Sequence, residues 1–360
     1  MSDAGELAAW IELSLVPGLG DRRFRSLLSS FGLPTQILSA TRSQLGRVVP
    51  EALAARILER NRGPEVEKTL QWAARAGHAL LTLADTEYPK QLLEIPDPPA
   101  LLYVAGNVKL LSSSALAVVG SRNATPQGLK NAQSFARAFS EAGLAIVSGL
   151  ALGVDSAAHR GGLEGRGSTI AVLGTGIDIV YPRRNQPLAE EIASRGALVS
   201  EFPLGAPPNA ANFPRRNRLI SGLARGCLVV EAALDSGSLI TARLAAEQGR
   251  EVLAIPGSIH SPLSKGCHAL IKQGAKLVES AQDVLEELGE LGGARAPDAT
   301  SPESGAGHDL LDKMGFDPCA IDGLIARSGL TAEAVSAILL QLELEGKIAG
   351  LPGGLYQRIA

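Results

Sequence analysis

The spacing of apolar residues changes along this chain and divides it into parts. Over residues 1–78, Leu7, Trp10, Ile11, Leu13 and Leu15 recur at helical spacing, and Phe24, Leu27, Leu28 and Phe31 resume the period after Val16-Pro-Gly-Leu-Gly. That period predicts short helices. Two helices joined by a hydrophobic-Gly-hydrophobic-Gly turn form a helix-hairpin-helix (SAM-like) pattern, with Arg22, Arg23 and Arg25 beside the turn. Such a hairpin either offers amides to a nucleic-acid backbone or serves as a scaffold with solvated arginines. From 79 to 288, short apolar runs alternate with helical stretches, which predicts a mostly parallel sheet with helices on both faces. The predicted strands span 79–83, 101–105, 116–120, 145–148, 169–173, 197–200, 227–231, 251–255 and 276–278. Helices between them include 126–141, 154–162, 187–194 and 241–248. Residues 289–307 read as a flexible linker by their Gly, Ala, Pro and Ser content. Helical stretches at 309–314, 320–328 and 332–344, then a hairpin over 347–358, give the order of a winged helix. The expected class is α/β, a Rossmann-like core over 79–288 between a helical domain and a winged-helix-like domain at 308–360.

Ligands of such sheets collect at the carboxyl ends of the strands. Gly120-Ser121-Arg122 follows one predicted strand and leads to Thr125-Pro126 at a helix start. Thr125 can cap the helix, and Pro126 suits a first turn that needs no N–H. Turn amides, helix dipole and the Arg122 guanidinium then converge, which predicts an anion site with phosphate as the expected anion. A turn that binds nothing is the alternative. The second stretch is Phe213-Pro-Arg215-Arg216-Asn217-Arg218, ahead of an apolar helix expected from about residue 217. Guanidinium groups here can fork onto phosphates. Phe213 is either a stacking surface for a base or a core anchor. The third stretch, Asp235 to Thr241, places Ser236, Gly237 and Thr241 at a strand end, where small polar residues suit phosphate or sugar oxygens. Lys265 can add charge nearby.

Charge narrows this picture. The 34 Lys and Arg against 37 Asp and Glu give a net charge of -3, so any polyanion site rests on local clustering. Such a cluster exists: residues 160–225 hold nine Lys or Arg against five Asp or Glu. The helix predicted at 332–344 and the residue after it carry Glu333, Glu343 and Glu345 but no Lys or Arg, which favours protein contact or packing over DNA reading. Cys227, Cys267 and Cys319 lie far apart without a CxxC pair, so neither a disulfide framework nor a zinc site is expected, and a cytoplasmic setting fits. The first residues lack the basic flank of a signal peptide, and no apolar run reaches the length of a membrane span.

Catalytic signatures are sparse. The chain has no P-loop, no H-E-x-x-H and no G-x-S-x-G. Asp155 and His159 sit four apart on a predicted helix; they are either an acid–base pair or a capping Asp with a hydrogen-bonded His. Gly174-Thr-Gly176 lacks the spacing of a dinucleotide fingerprint. No cofactor or metal is expected.

The motifs together resemble one family. Val118-Val-Gly-Ser-Arg-Asn-Ala-Thr, Ser148-Gly-Leu-Ala-Leu-Gly-Val-Asp-Ser-Ala-Ala-His, Thr169 to Pro182, Ser200-Glu-Phe-Pro-Leu-Gly, Asn212-Phe-Pro-Arg-Arg-Asn-Arg-Leu-Ile-Ser, Ser236-Gly-Ser-Leu-Ile-Thr-Ala-Arg and Ala254-Ile-Pro-Gly-Ser are similar, in order, to the DprA (Smf) DNA-processing family. The resemblance implies a cytoplasmic single-stranded-DNA-binding protein that is not an enzyme. It implies protection of incoming strands during natural transformation, displacement of single-strand-binding protein and loading of the RecA recombinase. It further implies a homodimer through the core domain, with Gly120, Ser121, Arg122, Arg215, Arg216, Asn217, Arg218 and Lys265 at the strand-binding groove. The alternative is a nucleotide-processing enzyme of the phosphoribohydrolase type on the same fold. Those enzymes carry a Pro-Gly-Gly-x-Gly-Thr turn where this chain has residues 231–237.

Overall fold

The computed structural model describes residues 4–289 and 306–359. Most of the expected linker, residues 290–305, lies outside the described residues. Nine strands form one sheet: β1 (His78–Thr82), β2 (Leu101–Gly106), β3 (Ala115–Val119), β4 (Ala145–Ser148), β5 (Thr169–Val172), β6 (Ala197–Ser200), β7 (Gly226–Val229), β8 (Glu251–Ala254) and β9 (Lys276–Leu277). Their order is β1-β2-β6-β5-β4-β3-β7-β8-β9. The seven strands from β6 to β9 in that order run parallel, and β2 and β1 add an antiparallel edge.

The unbroken apolar runs follow from burial on both faces. In β3, Ala115, Ala117 and Val119 pack into one layer, and Leu116 and Val118 into the other. Chain order reverses between β3, which continues to β4 on one side, and β7, which continues to β8 on the other. A crevice opens at such a switch point. Gly120-Ser121-Arg122 and Glu231 lie at the carboxyl ends of these two strands.

Each predicted strand is present within two residues at either end. The helix expected from about 217 begins earlier and spans Asn212–Gly222. Pro214 fits its first turn, where an amide has no partner inside the helix. Every residue from Arg216 to Gly222 is buried, so the helix has no solvated arginine face after Arg215.

Six short helices precede the sheet, beginning with Ala4–Ser14 and Gly20–Phe31. They enclose a core in which Trp10 and Phe24 pack with ring centroids 5.4 Å apart. Ile11 and Trp72 leave that core and join Leu101 and Tyr103 of β2. The C-terminal part has helices Ala306–Met314, Ile321–Ser328 and Ala332–Leu344, and a sheet of β10 (Cys319–Ala320), β11 (Ile348–Leu351) and β12 (Leu355–Arg358) ordered β10-β12-β11. Leu310, Leu324, Val335, Leu339 and Ile348 fill its own core. Among the described residues no single helix is long and apolar enough to cross a membrane.

Candidate nucleic-acid interface

A cleft of about 840 Å³ opens at the switch point. Gly120, Ser121, Arg122, Phe213, Arg216, Asn217, Ser236, Gly237 and Thr241 all line it. The turn at residues 120–122 is thus brought to the two stretches within residues 213–241 by strand order, since β3 and β7 are neighbours.

The turn after β3 is fixed from both sides. Ser121 N–H donates to the Glu231 carbonyl at 2.7 Å, and the Ser121 carbonyl accepts from Val154 N–H at 3.1 Å. Gly153, at φ 78°, lies so close that a Cβ there would fall 2.2 Å from the Ser121 carbonyl oxygen. Only glycine permits both that angle and that approach. Ser121 is 8% exposed, and its hydroxyl accepts Asn123 N–H at 3.1 Å. The expected cradle of amides is therefore corrected in part, because the Ser121 amide is spent within the protein. Helix Pro126–Ala142 is likewise already served. Thr125 caps it through Gly128 N–H, and the Glu231 carboxylate accepts Thr125 N–H at 2.9 Å and the Thr125 hydroxyl at 2.6 Å. The chain's own carboxylate sits where an external anion was expected.

Arg122 is exposed on the cleft, with its guanidinium carbon 5.9 Å from the centre of the Phe213 ring. Phe213 packs on the Gly174 backbone, where a Cβ would lie 2.7 Å from the ring. Tyr181 stands beside it at 5.6 Å, tilted by 38° and 48% exposed. Tyr181 is an aromatic surface that the residue-by-residue reading missed. Its signal was present in Val180-Tyr-Pro, but no periodicity placed it at the cleft. Asn185 pins this segment by donating to Leu150 O at 2.8 Å and Ser156 Oγ at 2.9 Å.

The arginine stretch separates by direction. Arg216 lines the cleft but is buried, donates to the Gly149 carbonyl at 3.0 Å, and is pushed down to about 10 by burial, with Asp155 opposing. It stays charged at neutral pH and acts through its field. Arg215 and Arg218 do not line this cleft, which corrects their expected place beside Arg122. Arg218, 6% exposed, reaches Glu201 at 2.5 Å, Asp97 at 3.0 Å and Asp21 at 3.2 Å. Arg215 binds Asp21 and Glu201, each at 2.9 Å, and packs over Phe202. Burial holds the Glu201 carboxyl above the usual range while the two guanidiniums pull it down. Asp21 opens the second helix of the helical domain, so these arginines tie that domain to the sheet. Arg215 instead borders a groove with Gly18, Gly20, Arg22 and Arg23 of the hairpin turn. Lys265 donates to the Ile259 carbonyl and does not line the cleft, although Leu263 does.

Asp155 and His159 are both engaged. Asp155 accepts Gly149 N–H at 3.1 Å and Ala151 N–H at 3.4 Å; burial raises its carboxyl and Arg216 opposes. Thr169 gives its hydroxyl proton to the Ile146 carbonyl, so His159 Nδ1 must be the donor in its 2.7 Å contact with Thr169. His159 Nε2 accepts Leu150 N–H at 3.3 Å. Leu150 has φ 57°, a left-handed angle that this pair and Asn185 hold in place. Burial first, and Arg216 second, push His159 down to about 3.

Comparison with known proteins accounts for this arrangement. Residues 79–289 match the model of DNA recombination-mediator protein A, and residues 294–354 match that of the DprA winged helix domain. The chain belongs to the DprA (Smf) family. It is 46% identical to protein Smf of Escherichia coli over 82% of this chain and 81% of that one. It is 34% identical to protein Smf of Synechocystis over 98% and 99%. The X-ray structure of DNA processing protein A from Streptococcus pneumoniae superposes with a TM-score of 0.68 at 39% identity, covering 77% of this chain and 95% of that one. DNA processing protein A from Helicobacter pylori, solved with attention to its single-stranded DNA binding mode, gives 0.54 at 32% identity over 58% and 95%. DprA members are DNA-processing recombination mediators, and the sheet domain and winged helix here are the family's parts.

Proposed function

We propose that this chain binds single-stranded DNA across the strand-end cleft and hands it to a recombinase. The observation that carries this is one surface on which exposed Arg122, half-buried Phe213 and exposed Tyr181 stand together over buried Arg216. A guanidinium beside aromatic rings suits a polymer that alternates phosphates with flat bases. Arg122 takes a phosphate, Tyr181 and Phe213 take a base, and Asn217, Ser236, Gly237 and Thr241 line more of the same cleft. Aromatic rings open to the cleft suit the splayed bases of a single strand better than bases stacked inside a duplex. Arg215 and Arg218 act as structural clamps.

The bound strand is protected during natural transformation, cleared of single-strand-binding protein and loaded with RecA, by a homodimer joined through the core domain. The family membership and the Helicobacter pylori relative's single-stranded DNA binding support this reading. No turnover is expected, because Asp155 and His159 are committed to holding the loop that shapes the cleft. A labelled oligonucleotide should be retained in single-stranded form at low salt and more weakly as a duplex. In the same assay with RecA and strand coated by single-strand-binding protein, filament growth should begin sooner. Equal retention of both DNA forms, or none, overturns the proposal, as does release of free base from nucleoside monophosphates.

A further inference from the structure

Helix Pro126–Ala142 has 17 residues, and its amino end lies beside Glu231, just past the carboxyl end of β7. Such an end attracts an anion. We propose that Glu231 is a built-in anion that closes this phosphate seat to free nucleotides and leaves the cleft to phosphates along the Arg122 side. The second half of that statement rests on the single-strand reading above; the first does not.

Glu231 serves the seat with every oxygen it has. Its carbonyl takes Ser121 N–H, one carboxylate oxygen takes Thr125 N–H and the other takes the Thr125 hydroxyl. Gly128 is the matching half of the arrangement. A Cβ on residue 128 would lie 2.3 to 2.6 Å from all three carboxylate atoms. Any side chain there would expel the carboxylate, so Glu231 and Gly128 act together. Gly128 N–H is itself used by Thr125 Oγ1 at 3.0 Å. A phosphate approaching the helix end therefore meets occupied donors and a like charge. Burial raises the Glu231 carboxyl and the Thr125 hydrogen bonds lower it, in keeping with a carboxylate seated in the fold and not waving in solvent.

The test uses the full chain with Glu231→Ala and Glu231→Gln. Inorganic phosphate and adenosine monophosphate are titrated at constant ionic strength by calorimetry and by thermal midpoint, with a single-stranded oligonucleotide in parallel. Glu231→Ala should bind both small ligands at least about tenfold more tightly than the parent chain, since a neighbouring like charge is removed. Its thermal midpoint should rise with phosphate concentration, and that of the parent should not. Glu231→Gln keeps partners for Thr125 without the charge and should fall between. If Glu231→Ala is poorly folded, Glu231→Gln against the parent carries the comparison. Equal phosphate affinity in the well-folded variants and the parent overturns the proposal. Loss of oligonucleotide retention by the parent overturns the single-strand reading and leaves the phosphate result standing.

Discussion

Tyr181 and His159 do opposite work. Tyr181 is held by its neighbours yet keeps half its surface open to the cleft. Replacing Tyr181 by Ala should weaken single-strand binding by about 1–3 kcal/mol, while Tyr181→Phe keeps most of it. An oligonucleotide carrying an abasic site should narrow the gap between Tyr181→Ala and the parent; the same gap with and without the base would exclude stacking. His159 is closed on both nitrogens, and a second ring proton would point Nε2–H at Leu150 N–H. The unfolded chain binds that proton near pH 6.5 and the folded one near 3. Stability from this group is therefore full above 6.5 and lost as pH falls towards 3, at roughly 1.4 kcal/mol per unit. Urea unfolding should show His159→Gln less stable than the parent at neutral pH and closer to it at pH near 4. Parallel pH curves would contradict the assignment.

At the scale of elements, helix Asn212–Gly222 joins the molecule's parts. Arg216 and Arg218 are charged by sequence and buried by position: Arg216 reaches Gly149, while Arg218 shares Asp21 and Glu201 with exposed Arg215 and adds Asp97. Breaking a buried ion cluster by removing one partner costs about 3–5 kcal/mol. Arg218→Ala should show that loss in denaturant unfolding, with no change in the salt dependence of DNA binding by the protein that remains folded. A changed salt slope would place Arg218 on the strand after all. The sheet, its helices and the wing were legible because their apolar periods depend on local neighbours. The direction of each arginine was not, because Asp21 lies nearly 200 residues away in the chain and no local pattern links it to Arg218. The helix end was legible as an anion seat, but its contact with the Glu231 carboxylate was not, since Glu231 reaches it only through the pairing of β3 with β7.

Over the whole molecule, net charge is slightly negative and the cleft mixes Arg122 and Arg216 with Asp155 and Asp235. Binding to a polyanion must then be short-range and shaped, with few phosphate contacts. A modest salt slope is expected, unlike that of a basic groove. Helix Ala332–Leu344 of the winged helix presents Leu340 and Leu344 beside acidic residues, which favours packing or protein contact over duplex DNA there. The most direct measurement is the salt dependence of single-strand affinity for the parent and Arg122→Ala. The account predicts weaker binding for Arg122→Ala across sequences and a slope reduced by roughly 0.7, the share of one phosphate on a single strand. An unchanged affinity and an unchanged slope would contradict it.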